Sequence, residues 1–147
     1  MHTIRELIKP CADKQFLSIL HDYELELHDL DSAYPVGRTI SYLDIDGFRT
    51  FIAEDKNRFI GFITLESKDA KCEIHEFYVI PERRNLTLAK ELLNIAISFR
   101  LGIVFNVFKK NIRVLKLAEH IFAKNFNRIS ISEITIWDVD CLHFETI

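Results

Sequence analysis

Three observations predict an α/β fold built on one mixed sheet. Residues 48 to 80 hold three apolar runs of strand length separated by short polar turns, the pattern of an antiparallel meander. From Leu88 the apolar spacing turns helical, with Leu92, Ile95, Ala96 and Phe99 on one stripe. Ile103 to Phe108 is then almost wholly apolar, which suits a strand buried on both faces. The third meander strand, the helix and this run form one β-α-β unit, with the right-handed crossover such units take.

The remaining elements follow in chain order. Thr3 to Ile8 reads as a short opening strand stopped before Pro10. From Ala12 to about Asp29, Phe16, Leu20, Tyr23 and Leu27 fall on one helix face. Asp29 to Gly37 is a loop by its Asp, Ser, Pro and Gly content. Thr39 to Asp46 reads as a short second helix or an ordered loop. Phe48 to Ala53, Arg58 to Glu66 and Cys72 to Ile80 are the meander strands, with turns at Asp55-Lys56-Asn57 and Ser67 to Lys71. Pro81 stops the third, and Gly102 follows the helix as a stop signal. Asn111 is placed to cap a further helix carrying Val114, Leu117, Ala118, Ile121 and Phe122. Asn127 to Ile136 and Asp140 to Ile147 close the chain as two strands. Such an order implies a mixed sheet with helices on both faces, in a single domain over residues 1–147.

Composition narrows the function. The chain has 147 residues, a net charge of −3, 48% apolar residues and twelve Phe, an ample core for a globular protein. The charge balance argues against a nucleic-acid-binding face. The charged N-terminus and the shortness of every apolar run argue against a signal core or a membrane span, and for a cytoplasmic protein. Cys11, Cys72 and Cys141 are few and widely spaced, which reads as free thiols rather than disulfides or zinc ligands. His21 and His28 lie seven apart on the first helix but lack a third ligand at sound spacing, so no metal site is expected.

The informative stretch is Ile74-His75-Glu76-Phe77-Tyr78-Val79-Ile80-Pro81-Glu82-Arg83-Arg84-Asn85-Leu86-Thr87-Leu88-Ala89. Arg83 and Arg84 precede a helix N-terminus, where unpaired N–H groups carry partial positive charge. That combination can seat a pyrophosphate, or the arginines can simply be solvated. Glu76 and Tyr78 alternate on one strand face, together with Ile74. A partly buried Glu76 would have a raised pKa suited to a general base, while the plainer reading is a surface or ion-paired strand residue. Tyr78 could donate a proton or serve as core. Asp22, Glu24, Glu26, Asp29 and Asp31 form an acidic stretch able to attract a cationic amine or to lie solvated on the helix.

The element order and the stretch Glu76 to Ala89 resemble the GCN5-related N-acetyltransferase (GNAT) superfamily. Its signature of Val-x-Pro, then Arg-x-x-Gly-x-Gly/Ala at a helix start, falls on Val79, Pro81 and Arg84 to Ala89. Phe105-Asn106-Val107 followed by Asn111 matches its later strand and Asn-headed helix. The opening Ile4-Arg5 strand and the segments Asp22 to Leu25 and Tyr42-Leu43-Asp44 are similar to a bacterial subgroup of small acetyltransferases. The resemblance implies acetyl-CoA as co-substrate and an amine, small or peptidic, as acceptor. It implies cofactor contacts from Tyr78, Val79 and Ile80 to the pantetheine arm, from the loop of Arg83, Arg84, Asn85, Leu86, Thr87, Leu88 and Ala89 to the pyrophosphate, and from Asn111. Transfer would proceed by direct attack in a ternary complex, with Glu76 as base.

Two departures bear on this. Thr87 stands where the signature has its first Gly, and a β-branched residue narrows the approach of phosphate to backbone. The family's catalytic Tyr on the later helix falls on Ala118 or Ile121, leaving His120 between them as a candidate acid or base, or as a solvent-facing helix residue. A member with these changes would either keep N-acetyltransferase activity, use a different acyl carrier, or act as a non-catalytic binding module. The closing strands could pair with a second copy of the chain.

Overall fold

Asp13 starts the first helix by accepting the Phe16 backbone N–H at 2.9 Å, and this cap precedes the stripe that the helix buries. The computed structural model describes residues 1–147. Its elements are β1 (Thr3–Leu7), α1 (Lys14–Leu30), β2 (Phe48–Asp55), β3 (Arg58–Lys68), β4 (Lys71–Val79), α2 (Leu86–Ser98), β5 (Gly102–Phe108), α3 (Ile112–Asn125), β6 (Ile129–Ile136) and β7 (Val139–Thr146). They form one seven-stranded sheet in the order β1-β2-β3-β4-β5-β7-β6. Only β4 and β5 run parallel; every other neighbouring pair is antiparallel. The fold is thus the mixed α/β sheet that the sequence predicts. No helix is long and apolar enough to cross a membrane.

Helices cover both faces. α1 sets Phe16 and Tyr23 edge-on against Phe62 of β3, with ring centroids 5.1 and 5.5 Å apart. The neighbouring Gly61 faces the other side, where Leu92 of α2 leaves no room for a side chain: a Cβ there would sit 3.3 Å from Leu92 Cδ1 and 2.9 Å from the Tyr78 carbonyl oxygen. α3 packs Phe122 against Phe105 of β5 and Phe144 of β7, at 6.4 and 5.7 Å.

The segment expected to be a second helix or an ordered loop at Thr39 to Asp46 contains a single 3₁₀ turn, Thr39–Ser41, within an irregular loop. Buried Glu24 of α1 gathers that loop: its Oε2 accepts from the Gly37 N–H at 2.9 Å, the Tyr34 hydroxyl at 3.2 Å and the Thr39 hydroxyl at 3.3 Å. A buried carboxylate needs hydrogen-bond donors, and the loop supplies three to this oxygen. Its charge therefore has a structural role, in place of the solvated face or amine-attracting stretch expected for this residue.

Three hairpins close on two-residue turns with both central residues at positive φ: Lys56-Asn57, Asp69-Ala70 and Trp137-Asp138. This geometry matches the strand twist and is the one Gly relieves. None of the three contains Gly, so each carries left-handed strain at a residue with a Cβ.

Two substitutions test this packing in opposite directions. Ala70→Gly relieves a left-handed residue (φ 60°) in an exposed turn and is expected to stabilise by about 1 kcal/mol. Gly61→Ala forces a Cβ against fixed backbone and is expected to destabilise by roughly 1–3 kcal/mol. Urea unfolding of both variants and the parent checks the signs.

Candidate active site

β4 is not regular. Thr64 of β3 pairs with Glu76, but Leu65 pairs with Ile74, so His75 is an extra residue and β4 bulges there. A one-residue bulge reverses the alternation. Ile74 therefore does not share a face with Glu76, contrary to the simple strand reading, whereas Glu76 and Tyr78 stay together on the α1 face, opposite Thr64 and Phe62. The same shift brings Glu73, which pairs with Glu66, onto the Glu76 face.

β4 and β5 are paired only from Lys71–Gly102 to Ile74–Phe105. Beyond Ile74 the two strands part, and the β5 side of β4 has no strand partner. A cavity of about 240 Å³ opens at this point. Its walls combine β4 (Glu73 to Phe77), β5 (Phe105 to Phe108), Tyr23 of α1, Tyr34 and Tyr42 of the loop, Asn111 and Val114 at the start of α3, and Trp137 at the β6–β7 turn. Trp137 is held there between the Arg38 guanidinium, 4.8 Å from its ring, and Tyr34 at 5.7 Å.

Glu76 is the buried carboxylate of this cavity, 1% exposed. The Tyr42 hydroxyl donates to its Oε1. Its Oε2 is buried with no hydrogen-bond partner. Burial pushes its pKa up to about 8, offset in part by the Tyr42 hydrogen bond and reinforced by the charge of Glu24. Neither a solvent-facing Glu nor a Lys or Arg partner describes this residue: its partner is a phenol. Burial also raises the Tyr42 phenol well above its ordinary range, as does the neighbouring carboxylate, so it stays a donor.

The other sequence-derived candidates fall as follows. Tyr78 is buried, with its ring 5.6 Å from Tyr23 and under the Arg84 guanidinium at 5.6 Å; it lines a small adjoining recess with Asn111 and Arg113 rather than the main cavity. Val79 ends β4, and Ile80 donates its N–H to the Ile60 carbonyl. Arg84 donates Nε to the Val79 carbonyl at 2.9 Å and its guanidinium to Glu26, which Arg113 also approaches at 3.9 Å. Arg83 turns the other way, to Asp55 at 2.5 Å. Asn85 occupies the N-cap of α2, its side chain accepting from the Leu88 N–H at 3.2 Å. Leu86 and Thr87 are exposed in the first turn, and Leu88 and Ala89 are buried. Asn111 stands at the head of α3 as expected but makes no capping hydrogen bond; its residue lines the cavity instead. His120 is exposed on α3 and outside the cavity lining, so the structure does not bring it to Glu76.

Two residues that matter here were not among those candidates. Tyr23 belongs to the apolar stripe of α1 and reads as core; only its place beside the parted strands shows it at the cavity. Tyr42 lies in a segment without periodicity, and its only signal was the family-like Tyr42-Leu43-Asp44.

A carboxylic acid whose proton is held more tightly in the folded state stabilises the fold while protonated. For Glu76 that contribution is complete below the ordinary value of 4.5 and is lost as pH rises through about 8. Glu76→Gln removes the titration. Over that pH window the parent is expected to lose stability relative to the variant by an amount on the order of 5 kcal/mol, read from denaturant unfolding at several pH values.

A search of curated proteins finds no match. Among solved structures, a GNAT-family acetyltransferase from Staphylococcus aureus Mu50 superposes with TM-score 0.70 at 17% identity, over 99% of this chain and 98% of that one. The ribosomal-protein-S18-alanine N-acetyltransferase of Escherichia coli gives 0.69 at 17% identity, over 99% and 93%. An aminoglycoside 6′-N-acetyltransferase complexed with coenzyme A gives 0.68 at 14%, over 98% and 96%. At such identities these likenesses speak for the fold. The sequence profile of the acetyltransferase (GNAT) family matches residues 4–130, and by that match the chain belongs to this family, which uses acetyl-CoA as co-substrate.

Proposed function

We propose that the protein transfers the acetyl group of acetyl-CoA to a primary amine within a ternary complex, with Glu76 as general base. The observation that carries this reading is Glu76 Oε2, a buried carboxylate oxygen with no partner at the wall of a cavity between two parted strands. An unsatisfied acceptor in such a place calls for a donor from outside the chain, and an amine N–H is one.

The residues fit acetyl-CoA in part. The open side of β4 past Ile74 adjoins a recess lined by Asn111, whose side chain makes no capping bond, and by Arg113, with Arg84 over the nearby Tyr78 ring; both arginines are engaged by Glu26, with which a pyrophosphate would compete. The Asn85 side chain occupies the helix N–H that an anion would use, so seating a pyrophosphate requires it to turn away. Bound acetyl-CoA supplies an activated acyl carbonyl and a thiolate leaving group.

The chain's own contributions follow from the geometry. Tyr42 holds Glu76 Oε1 and so aims Oε2 at the acceptor. Glu76 takes a proton from the amine as its nitrogen attacks, a role suited to a carboxylate whose pKa lies near 8. Tyr78, whose phenol is raised by burial and by Glu26 and lowered by Arg84, stays protonated and is the candidate donor to the thiolate. Apolar walls from Phe77, Phe105 and Phe108 keep water from competing with the amine.

The second reading is a family member without catalysis. The self-capped N-terminus at Asn85 and the absence of a Tyr at Ala118 or Ile121 favour it.

Calorimetric titration with acetyl-CoA at two salt concentrations separates the two readings. Saturable binding that weakens with salt is expected for the enzyme, and no binding by folded protein would support the non-catalytic one. In an acceptor assay, Glu76→Gln is expected to keep acetyl-CoA binding and lower kcat by about 10²–10⁴-fold. The parent's rate should rise with pH to a plateau above about 8. Tyr42→Phe removes the hydrogen bond that lowers the Glu76 pKa, so the rising limb should move to higher pH.

A further inference from the structure

The bulge at His75 does more than present Glu76. In a regular strand Glu73 and Glu76 would point to opposite faces; with His75 as one extra β4 residue against the Thr64–Glu66 span of β3, both lie on the α1 face, and both line the cavity. Among the lining residues these two are the only carboxylates, His75 is the only basic side chain, and there is no Lys or Arg. His75 is already engaged, with Nε2 at 2.9 Å from Glu66 Oε1. Glu73 makes no ion pair, whereas Arg84, Arg83 and Lys71 are each bound to another carboxylate. Tyr34, Tyr42 and Trp137 add aromatic rings to the same walls.

Resting on the acetyltransferase reading, we propose that the acceptor is a dicationic amine: one nitrogen is received by the unpartnered Oε2 of Glu76, and a second cationic group is held by Glu73, with Glu66 behind it. The orphaned, buried Oε2 is the independent sign of a ligand, and Glu73 is the free charge beside it. Three residues of bulged strand separate the two carboxylates, roughly 7–10 Å, which a linear diamine of about five to seven carbons spans. Amines that carry a carboxylate are disfavoured, because the cavity has no Lys or Arg to answer it, its one basic side chain, His75, is held by Glu66, and two carboxylates repel it.

The test compares a linear α,ω-diamine of six carbons, the monoamine of equal length and 6-aminohexanoate. Each is titrated calorimetrically into the CoA-bound protein and assayed as acceptor with acetyl-CoA. The diamine is expected to bind about tenfold more tightly than the monoamine, with the amino acid weakest, and the preference should shrink with salt. Glu73→Gln is expected to bring the diamine down to the monoamine, mainly through KM. Equal binding of diamine and monoamine, or a preference that survives Glu73→Gln, would overturn the proposal, while transfer to both would leave the acetyltransferase reading standing. A Glu73-dependent preference for the diamine without transfer to any amine would uphold the cation site and remove the catalytic reading.

A divalent ion is the competing occupant, since Glu66, Glu73 and His75 offer ligand atoms within 4.8 Å of one another. Titration with Zn²⁺ alone covers it. Tight Zn²⁺ binding lost in Glu73→Gln, with no diamine preference, would overturn the proposal in favour of a metal site.

Discussion

Four residue pairs join β4 to β5, and past Ile74–Phe105 the strands part. Backbone groups in the middle of a sheet normally find their partners on the adjacent strands. Where the strands separate, polar backbone and the side chains that would have met across the gap face open space instead. The aromatic packing on either side keeps that space from collapsing. Phe62, Tyr23 and Tyr78 hold α1 on one face, and Phe105, Phe122 and Phe144 hold α3. The parting of the two strands is therefore maintained by cores on both faces, and the cavity is a consequence of it.

The second constraint is electrostatic. Two carboxylates, Glu24 and Glu76, are buried near one another, and the chain treats them differently. Glu24 is surrounded by three donors from the loop it organises. Glu76 receives one, from Tyr42, and keeps one oxygen bare. Three donors on one oxygen hold Glu24 in a structural role, whereas a buried oxygen with no donor, as in Glu76, costs stability. Tyr42 reaches Glu76 from the loop that Glu24 gathers, so the carboxylate with three donors helps position the one donor of the other.

Much of the fold could be read from patterns. Every strand and every long helix was anticipated within a few residues, because burial on one or both faces imposes a period of 2 or 3.6, and Pro10, Pro81 and the polar turn residues mark the ends. The segment at residues 39–46 has no such period. It is tied down by the Thr39 hydroxyl on Glu24, fifteen residues earlier in the chain, and by the Tyr42 hydroxyl on Glu76, and local pattern carries no trace of either. The strand-to-helix junction was legible for a similar reason to the strands: Pro81, two arginines and an Asn cap are local signals.

By itself, the amino-acid sequence determined the order of elements, the family-like stretch from Glu76 to Ala89 and the candidacy of Glu76. These depend on spacing along the chain and on residue type. Tertiary structure decided which residues meet there. It gave Glu76 a phenol partner in place of a cation and turned Arg84 back onto Val79 and Glu26. It left His120 in solvent and brought Tyr23 and Tyr42 to the cavity. It also placed Glu73 on the face of Glu76, because a bulge is defined by the pairing of two strands. A one-strand pattern assumes strict alternation, and only the register against β3 reveals that His75 breaks it.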